Sequence, residues 1–196
     1  RNSLALIVTL FTGHMSGANW LPPWSLTASQ QLQRFPIISG GTPIEGRAPR
    51  NWYSDREIID AQALLAHSVA ATIGAHPALW AYDLGNENSN CTIPPSREAA
   101  LDWLHAMAGS LRNVDAIHPV TIGLHAEDLE EDRNLGPLEA AQVCDFLCMH
   151  GYPMYLKWAA AADDDHVLPF LGLLTHWLGR GKDVLFAEFG APAPRS

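Results

Sequence analysis

The sequence is short of several things, and each shortage removes a class of function. Lysine and arginine number only 12 against 21 acidic residues, for a formal charge of -9. Nucleic acids and anionic membranes select basic faces, so neither is expected as a partner. No apolar run approaches the roughly 18 residues of a membrane span. The run from Leu4 to Phe11 lacks the basic flank and cleavage site of a signal peptide and reads as a buried strand, which leaves the compartment open. Cysteine is scarce: Cys91, Cys144 and Cys148 are an odd set with neither a disulfide framework nor a close metal-binding pair, and are expected as buried or partly buried thiols. Asn90-Cys91-Thr92 fits a glycosylation sequon, a weak pattern by itself. There is no Gly-x-Gly-x-x-Gly and no phosphate loop, so a nucleotide-binding sheet is disfavoured. With 47% hydrophobic and 17% charged residues, the chain is expected to fold rather than stay disordered.

Against these absences stands a repeated pattern. Apolar runs at Leu4–Phe11, Leu79–Leu84, Val120–Leu124, Phe146–Met149 and Val184–Ala187 show no clean alternation. Continuous apolar runs suit strands covered on both faces, as in parallel sheets. Helical stretches lie between them. Ser54-Asp55-Arg56-Glu57 reads as a capping box opening a helix with Ile58, Ala61, Leu65 and Val69 on one side. Pro95-Ser96-Arg97-Glu98 precedes a helix carrying Leu101, Leu104, Met107 and Leu111. A short helix is expected around Pro137 to Gln142, and another from Val167 to Leu178 with Leu168, Leu171, Leu174 and Trp177 at helical spacing. Strand and helix in alternation predict an α/β fold in one domain over residues 1–196. The long segments Thr12 to Arg50, Asn86 to Pro95, His125 to Gly136 and His150 to His166 all follow strand C-terminal ends, where a β/α barrel builds its active site.

Each run also ends in reactive or polar chemistry: Thr12-Gly13-His14, then Asp83-Leu84-Gly85-Asn86-Glu87-Asn88, His125-Ala126-Glu127-Asp128, His150-Gly151-Tyr152 and Glu188-Phe189-Gly190. One polar strand end is ordinarily structural. Five of them, with Glu87 and Glu188 among them, favour catalysis. Glycoside hydrolysis needs a carboxyl pair, about 5–5.5 Å apart for retention and about 6.5–9.5 Å for inversion. Glu87 and Glu188 are the candidates. Asn86 is placed to hydrogen-bond a sugar 2-hydroxyl, Tyr152 to support a nucleophilic carboxylate, and His14 and His150 to hold sugar hydroxyls. Trp20, Trp24, Trp52, Tyr53, Tyr155 and Trp158 crowd the long segments, and Trp20 and Trp158 are taken as sugar-stacking faces. Trp80, Trp103 and Trp177 fall in regular elements and are expected in the core.

These motifs resemble those of retaining glycosidases of clan A, especially glycoside hydrolase family 5. Pro77 to Glu87 is similar to the fourth-strand Asn-Glu motif, Val184 to Gly190 to the seventh-strand nucleophile motif, His150-Gly151-Tyr152 to the sixth-strand His-x-Tyr, and Leu10 to His14 to the end of the third strand. The resemblance implies a partial (β/α)8 TIM barrel covering about strands 3 to 7. It implies Glu87 as acid/base, Glu188 as nucleophile, no metal or other cofactor, and β-linked glucosides or mannosides as the carbohydrate substrate. Strands 1, 2 and 8 have no counterpart, nor do the arginine and tryptophan the family carries there. The chain ends do not resemble natural domain ends, so a fragment of a longer product is expected. An open arc leaves sheet edges that template pairing, so self-association into a homo-oligomer is expected too. Two other readings stay open: an inactive or weakly active fragment that binds sugar or self-assembles, and a metal-dependent hydrolase gathering His14, His125, His150 and Asp128.

Overall fold

The computed structural model describes residues 3–191. Its centre is a sheet of five parallel strands in sequence order: β1 (Leu6–Thr9), β2 (Leu79–Asn86), β3 (Val120–His125), β4 (Leu147–Gly151) and β5 (Val184–Phe189). All five expected strands form, with no end shifted by more than two residues. The arc is a partial barrel. Because neighbouring strands run the same way, every C-terminal end opens on one rim.

Four helices cover the outside: α1 (Arg56–Ile73), α2 (Arg97–Arg112), α3 (Pro137–Val143) and α4 (Val167–Leu178). Each packs on the next, and α4 also lies against β4 and β5. The core between helices and sheet includes Trp103, Leu104, Met107, Leu111, Ile122, Leu124, Leu147 and Met149, all nearly inaccessible to solvent. Each such side chain contributes roughly 1.5–3 kcal/mol on burial. All residues of β3 and β4 are buried, whereas none of β5 is.

Several local expectations are corrected. The N-cap of α1 is Asp55, whose carboxylate accepts from the amides of Glu57 and Ile58 and pairs with Arg50 at 2.7 Å. An ionised acceptor at the positive helix end outcompetes the Ser54 hydroxyl. The buried face of α1 is Ile58, Gln62, Ala66 and Ala70, with Leu65 exposed. Its alanines let the helices approach closely, and Gln62 accepts from the Trp103 indole at 2.9 Å. Trp103 is core as expected, but Trp80 is 46% and Trp177 74% exposed. Helical spacing on α4 thus reports an apolar face without showing what covers it. Trp52 and Tyr53, counted with the loop aromatics, are buried in the core. The Thr12 to Arg50 segment carries short strands of its own, in a four-stranded and a two-stranded sheet. The three cysteines are free, Cys144 and Cys148 buried and Cys91 partly so. No described helix is long and apolar enough to cross a membrane.

Candidate active site

Parallel register sets the site. His150 on β4 lies level with His125 on β3 and Glu188 on β5. Asn86, at the end of β2, lies beside Gly123 of β3, and the Glu87 amide donates to the Gly123 carbonyl at 3.1 Å. Glycine at 123 is required by close approach: a Cβ there would stand 2.7 Å from the Gly85 carbonyl oxygen and 3.1 Å from His150 Nε2. The strands thus close ranks directly beneath Glu87.

Glu87 itself has φ 50° and ψ 48°, a left-handed conformation that a residue with a Cβ seldom adopts. Strained backbone of this kind concentrates at functional sites. The turn it makes aims its carboxylate into the rim. Glu87 Oε1 pairs with His150 Nδ1 at 2.9 Å, and Oε2 accepts from Asn90 Nδ2 at 3.0 Å. That bond occupies the amide nitrogen of the sequon asparagine. On the other side, Tyr152 Oη donates to Glu188 Oε2 at 2.9 Å, and His150 Nδ1 stands 3.8 Å from that same oxygen. One polar atom from each of Glu87, His150 and Glu188 lies within 4.8 Å of the other two.

The electrostatics differ between the partners. Burial pushes the Glu87 carboxyl up, but the His150 hydrogen bond and the charges of His125, His150 and His14 outweigh it, and the group sits below the ordinary glutamate value. Burial pulls His150 down, while Glu87, Glu188 and Asp83 more than offset it, so His150 sits above the usual histidine value. Burial, then the bond to Glu188, pushes the Tyr152 phenol up to about 12, so it stays a donor.

Of the other expected site residues, Asn86 donates from Nδ2 to the His14 carbonyl at 2.8 Å, and His14 Nδ1 pairs with Asn19 Oδ1 at 2.9 Å. Both therefore belong to the same rim. Trp20 is half exposed and donates to the Met15 carbonyl. Trp158 is half exposed too; its indole donates to Glu130 and its ring meets Phe170 edge-on. It lines an apolar hollow of about 360 Å³ with Leu129, Leu171 and Leu174, which includes neither carboxylate of the pair. The four residues of the metal-hydrolase alternative do not converge. His14 is engaged with Asn19, His125 and Asp128 meet at Ser89, and His150 bonds Glu87.

Some supporting residues have no role assigned from the sequence. Asp83, buried in β2, accepts from Thr9 Oγ1 and from the amides of Gly85 and Gly123, stitching β1, β2 and β3 together. Burial pushes its carboxyl up despite those bonds. Arg34, from the long segment after β1, makes a two-pronged pair with Glu127 beyond β3, each bond 2.5 Å long. Arg133 joins Glu127 from below at 2.6 Å. This bridge ties one wall of the rim across to another. It holds the Glu127 carboxyl down at about 2, chiefly through the Arg34 bond.

Comparison with known proteins agrees with this architecture. No family model matches the chain. Mannan endo-1,4-beta-mannosidase 2 of Oryza sativa subsp. japonica is 28% identical, over 58% of this chain and 30% of its own length. Among solved structures, an exo-beta-1,4-mannosidase from Opitutaceae bacterium strain TAV5 superposes with a TM-score of 0.70 at 24% identity, covering 96% of this chain and 32% of that one. The GH5_18 protein of Streptomyces cattleya, in complex with GlcNAc, gives 0.74 at 20% identity, over 97% of this chain and 45% of that one. The chain therefore resembles a mannan endo-mannosidase in sequence and a family 5 glycosidase in fold. It spans about a third of the length of the curated relative it matches.

Proposed function

We propose that this chain carries the catalytic pair of a retaining β-glycosidase that acts on β-mannosides, with Glu188 as nucleophile and Glu87 as acid/base. The observation that carries the reading is the approach of the two carboxylates, an oxygen of each lying within 4.8 Å of the other. That approach is nearer the about 5–5.5 Å of double displacement than the about 6.5–9.5 Å of an inverting enzyme.

In the first step a Glu188 oxygen attacks the anomeric carbon, and Glu87 gives its proton to the departing glycosidic oxygen. A glycosyl ester forms at Glu188 and the aglycone alcohol leaves. In the second step Glu87, now a carboxylate, takes a proton from water, whose oxygen attacks the same carbon and releases Glu188. Tyr152 donates to Glu188 and holds its carboxylate in place for the attack. His150 bonds Glu87 and stands 3.8 Å from Glu188. Asn86, held by the His14 carbonyl, is assigned to the sugar 2-hydroxyl. The preference for manno over gluco substrates rests on the names of the relatives, two of which are mannosidases.

The test is hydrolysis of 4-nitrophenyl β-mannoside and β-glucoside, followed by proton NMR of the sugar first released. Faster release from the mannoside, with the β-anomer appearing first, supports the reading. First appearance of the α-anomer would overturn retention. Release from neither glycoside, together with measurable mannan binding, would favour the second reading, a sugar-binding fragment. One observation favours that second reading: β1 and β5 have no outer partner among the described residues, and Phe189 on β5 is 65% exposed. Such edges also favour self-association, which sedimentation velocity across a concentration range would register.

A further inference from the structure

Beneath the Glu87 turn lies a polar cluster that the catalytic scheme does not use. Ser89 Oγ stands 2.5 Å from Asp128 Oδ1, 2.9 Å from His125 Nε2 and 3.2 Å from Arg133 Nη1. Serine, histidine and aspartate in contact suggest a nucleophile, but the proton count rejects it. A hydroxyl has one proton to give, and the ionised Asp128 can only accept, so that proton goes to Asp128. His125 Nε2 and Arg133 must then both donate to the serine oxygen. The histidine is turned the wrong way to act as a base, and both serine lone pairs are filled. Asp128 Oδ2, meanwhile, accepts from the His125 backbone amide at 3.0 Å. Ser89 is therefore a fully satisfied joint between the turn after β2 and the end of β3.

We infer that Ser89 is a positioning residue whose hydroxyl, locked by His125, Asp128 and Arg133, holds Glu87 in its left-handed conformation and so aims its carboxylate. The geometry supports this at each step. Glu87, Asn88, Ser89 and Asn90 form one tight turn, with the Asn90 amide returning to the Glu87 carbonyl at 2.9 Å. The Glu87 amide is fixed to Gly123 on the near side of that turn, and the Ser89 side chain is fixed to β3 on the far side. A Cβ at Gly85 would stand 2.2 Å from Asn88 Oδ1, so the turn folds tightly back on β2. With both flanks pinned, the φ of 50° has little freedom to relax. Without Ser89, the strain at Glu87 has a route to release.

The inference rests on the reading of Glu87 as acid/base for its kinetic consequence, but not for its structural one. The test is therefore double. In uniformly 13C-labelled protein, the Glu87 Cα and Cβ shifts report its positive φ. Ser89→Ala should move those shifts to values of ordinary extended or helical backbone, and Ser89→Thr should keep them. In parallel, Ser89→Ala should lower turnover of a β-mannoside with an alkyl leaving group by about tenfold or more, as small misplacements of reacting groups do, with the threonine variant restoring it. Should Ser89→Ala fail to fold, Asp128→Asn, which keeps the shape and removes the charged acceptor, should move the Glu87 shifts the same way. Unmoved shifts in folded variants would overturn the inference. Moved shifts in a chain whose unaltered form cleaves no β-glycoside would uphold the positioning role and overturn the catalytic reading.

Discussion

The two carboxylates of the site sit on strands of opposite standing. Glu87 follows β2, flanked on both sides by β1 and β3. Its side chain is 16% exposed and is held by His150 and Asn90. Glu188 lies on β5, the last strand of the arc, with β4 as its one neighbour among the described residues. Its side chain is 39% exposed and is held by Tyr152. The arc completes the surroundings of one carboxylate and leaves the other half built. Burial, hydrogen bonding and strain accumulate where a strand has two neighbours. At the edge the same residue type depends on a single phenol.

That contrast sets the expected sizes of effects. Glu188→Gln should cost the most, on the order of 10³-fold or more in turnover on every glycoside, because no other group supplies the nucleophile. Rates near the unaltered chain's would reverse the roles of the two strands. Glu87→Ala should divide substrates by leaving group, losing about 10²–10⁴-fold on alkyl glycosides and much less on nitrophenyl glycosides, which leave without a proton. Equal losses would show that Glu87 is not the acid. Tyr152→Phe removes the one bond that steadies Glu188. A hydrogen bond to a charged group is worth roughly 1.5–3 kcal/mol, so turnover should fall about 10- to 100-fold. A loss below twofold would mean that the edge carboxylate needs no support.

The pH dependence sharpens the comparison further. The Glu87 carboxyl is lowered, since the three histidines outweigh its burial. Its protonated, proton-donating form is then populated only below the usual glutamate range. Cleavage of alkyl glycosides should rise as pH falls through that range, while nitrophenyl glycosides respond less. The same shifts act on stability. Glu87, lowered in the fold, contributes stability that is present above its unfolded value and lost as pH falls through its folded one. His150, raised in the fold, contributes stability present below its unfolded value and lost as pH rises through its folded one. The pair should therefore stabilise the chain most in mildly acidic solution, and His150→Ala should flatten that maximum in a thermal melt. The smallest effect belongs to the Arg34 bridge. Although doubly bonded to Glu127, Arg34 is half exposed, and Arg34→Ala should cost about 1 kcal/mol or less in urea unfolding.

The strands and the carboxylate pair were legible because each is announced locally. Continuous apolar runs mark strands covered on both faces, and a polar group at every run's end marks a shared rim. His150 and Tyr152 were found by the same logic, two residues apart on β4 and the residue after it. Ser89 and Arg34 were not, and Asp83 showed its place but not its role, because those roles depend on partners 39, 93 and 74 residues away. A serine within a turn looks alike whether it is free or locked. The cap of α1 was misjudged by one residue because Ser54 and Asp55 both satisfy the pattern, and only the Arg50 pair and the helix-end field favour the carboxylate. Trp80 and Trp177 were misjudged for a different reason. Periodicity identifies an apolar face and says nothing about whether another element lies over it.

The central claim is that the half-built edge still presents a working nucleophile. The direct test is incubation with 2-deoxy-2-fluoro-β-mannosyl fluoride, intact-mass measurement and peptide mapping. The account predicts a single fluoromannosyl adduct on Glu188, absent from Glu188→Gln. A folded chain that takes up no label, or takes it up on Glu87, would contradict it.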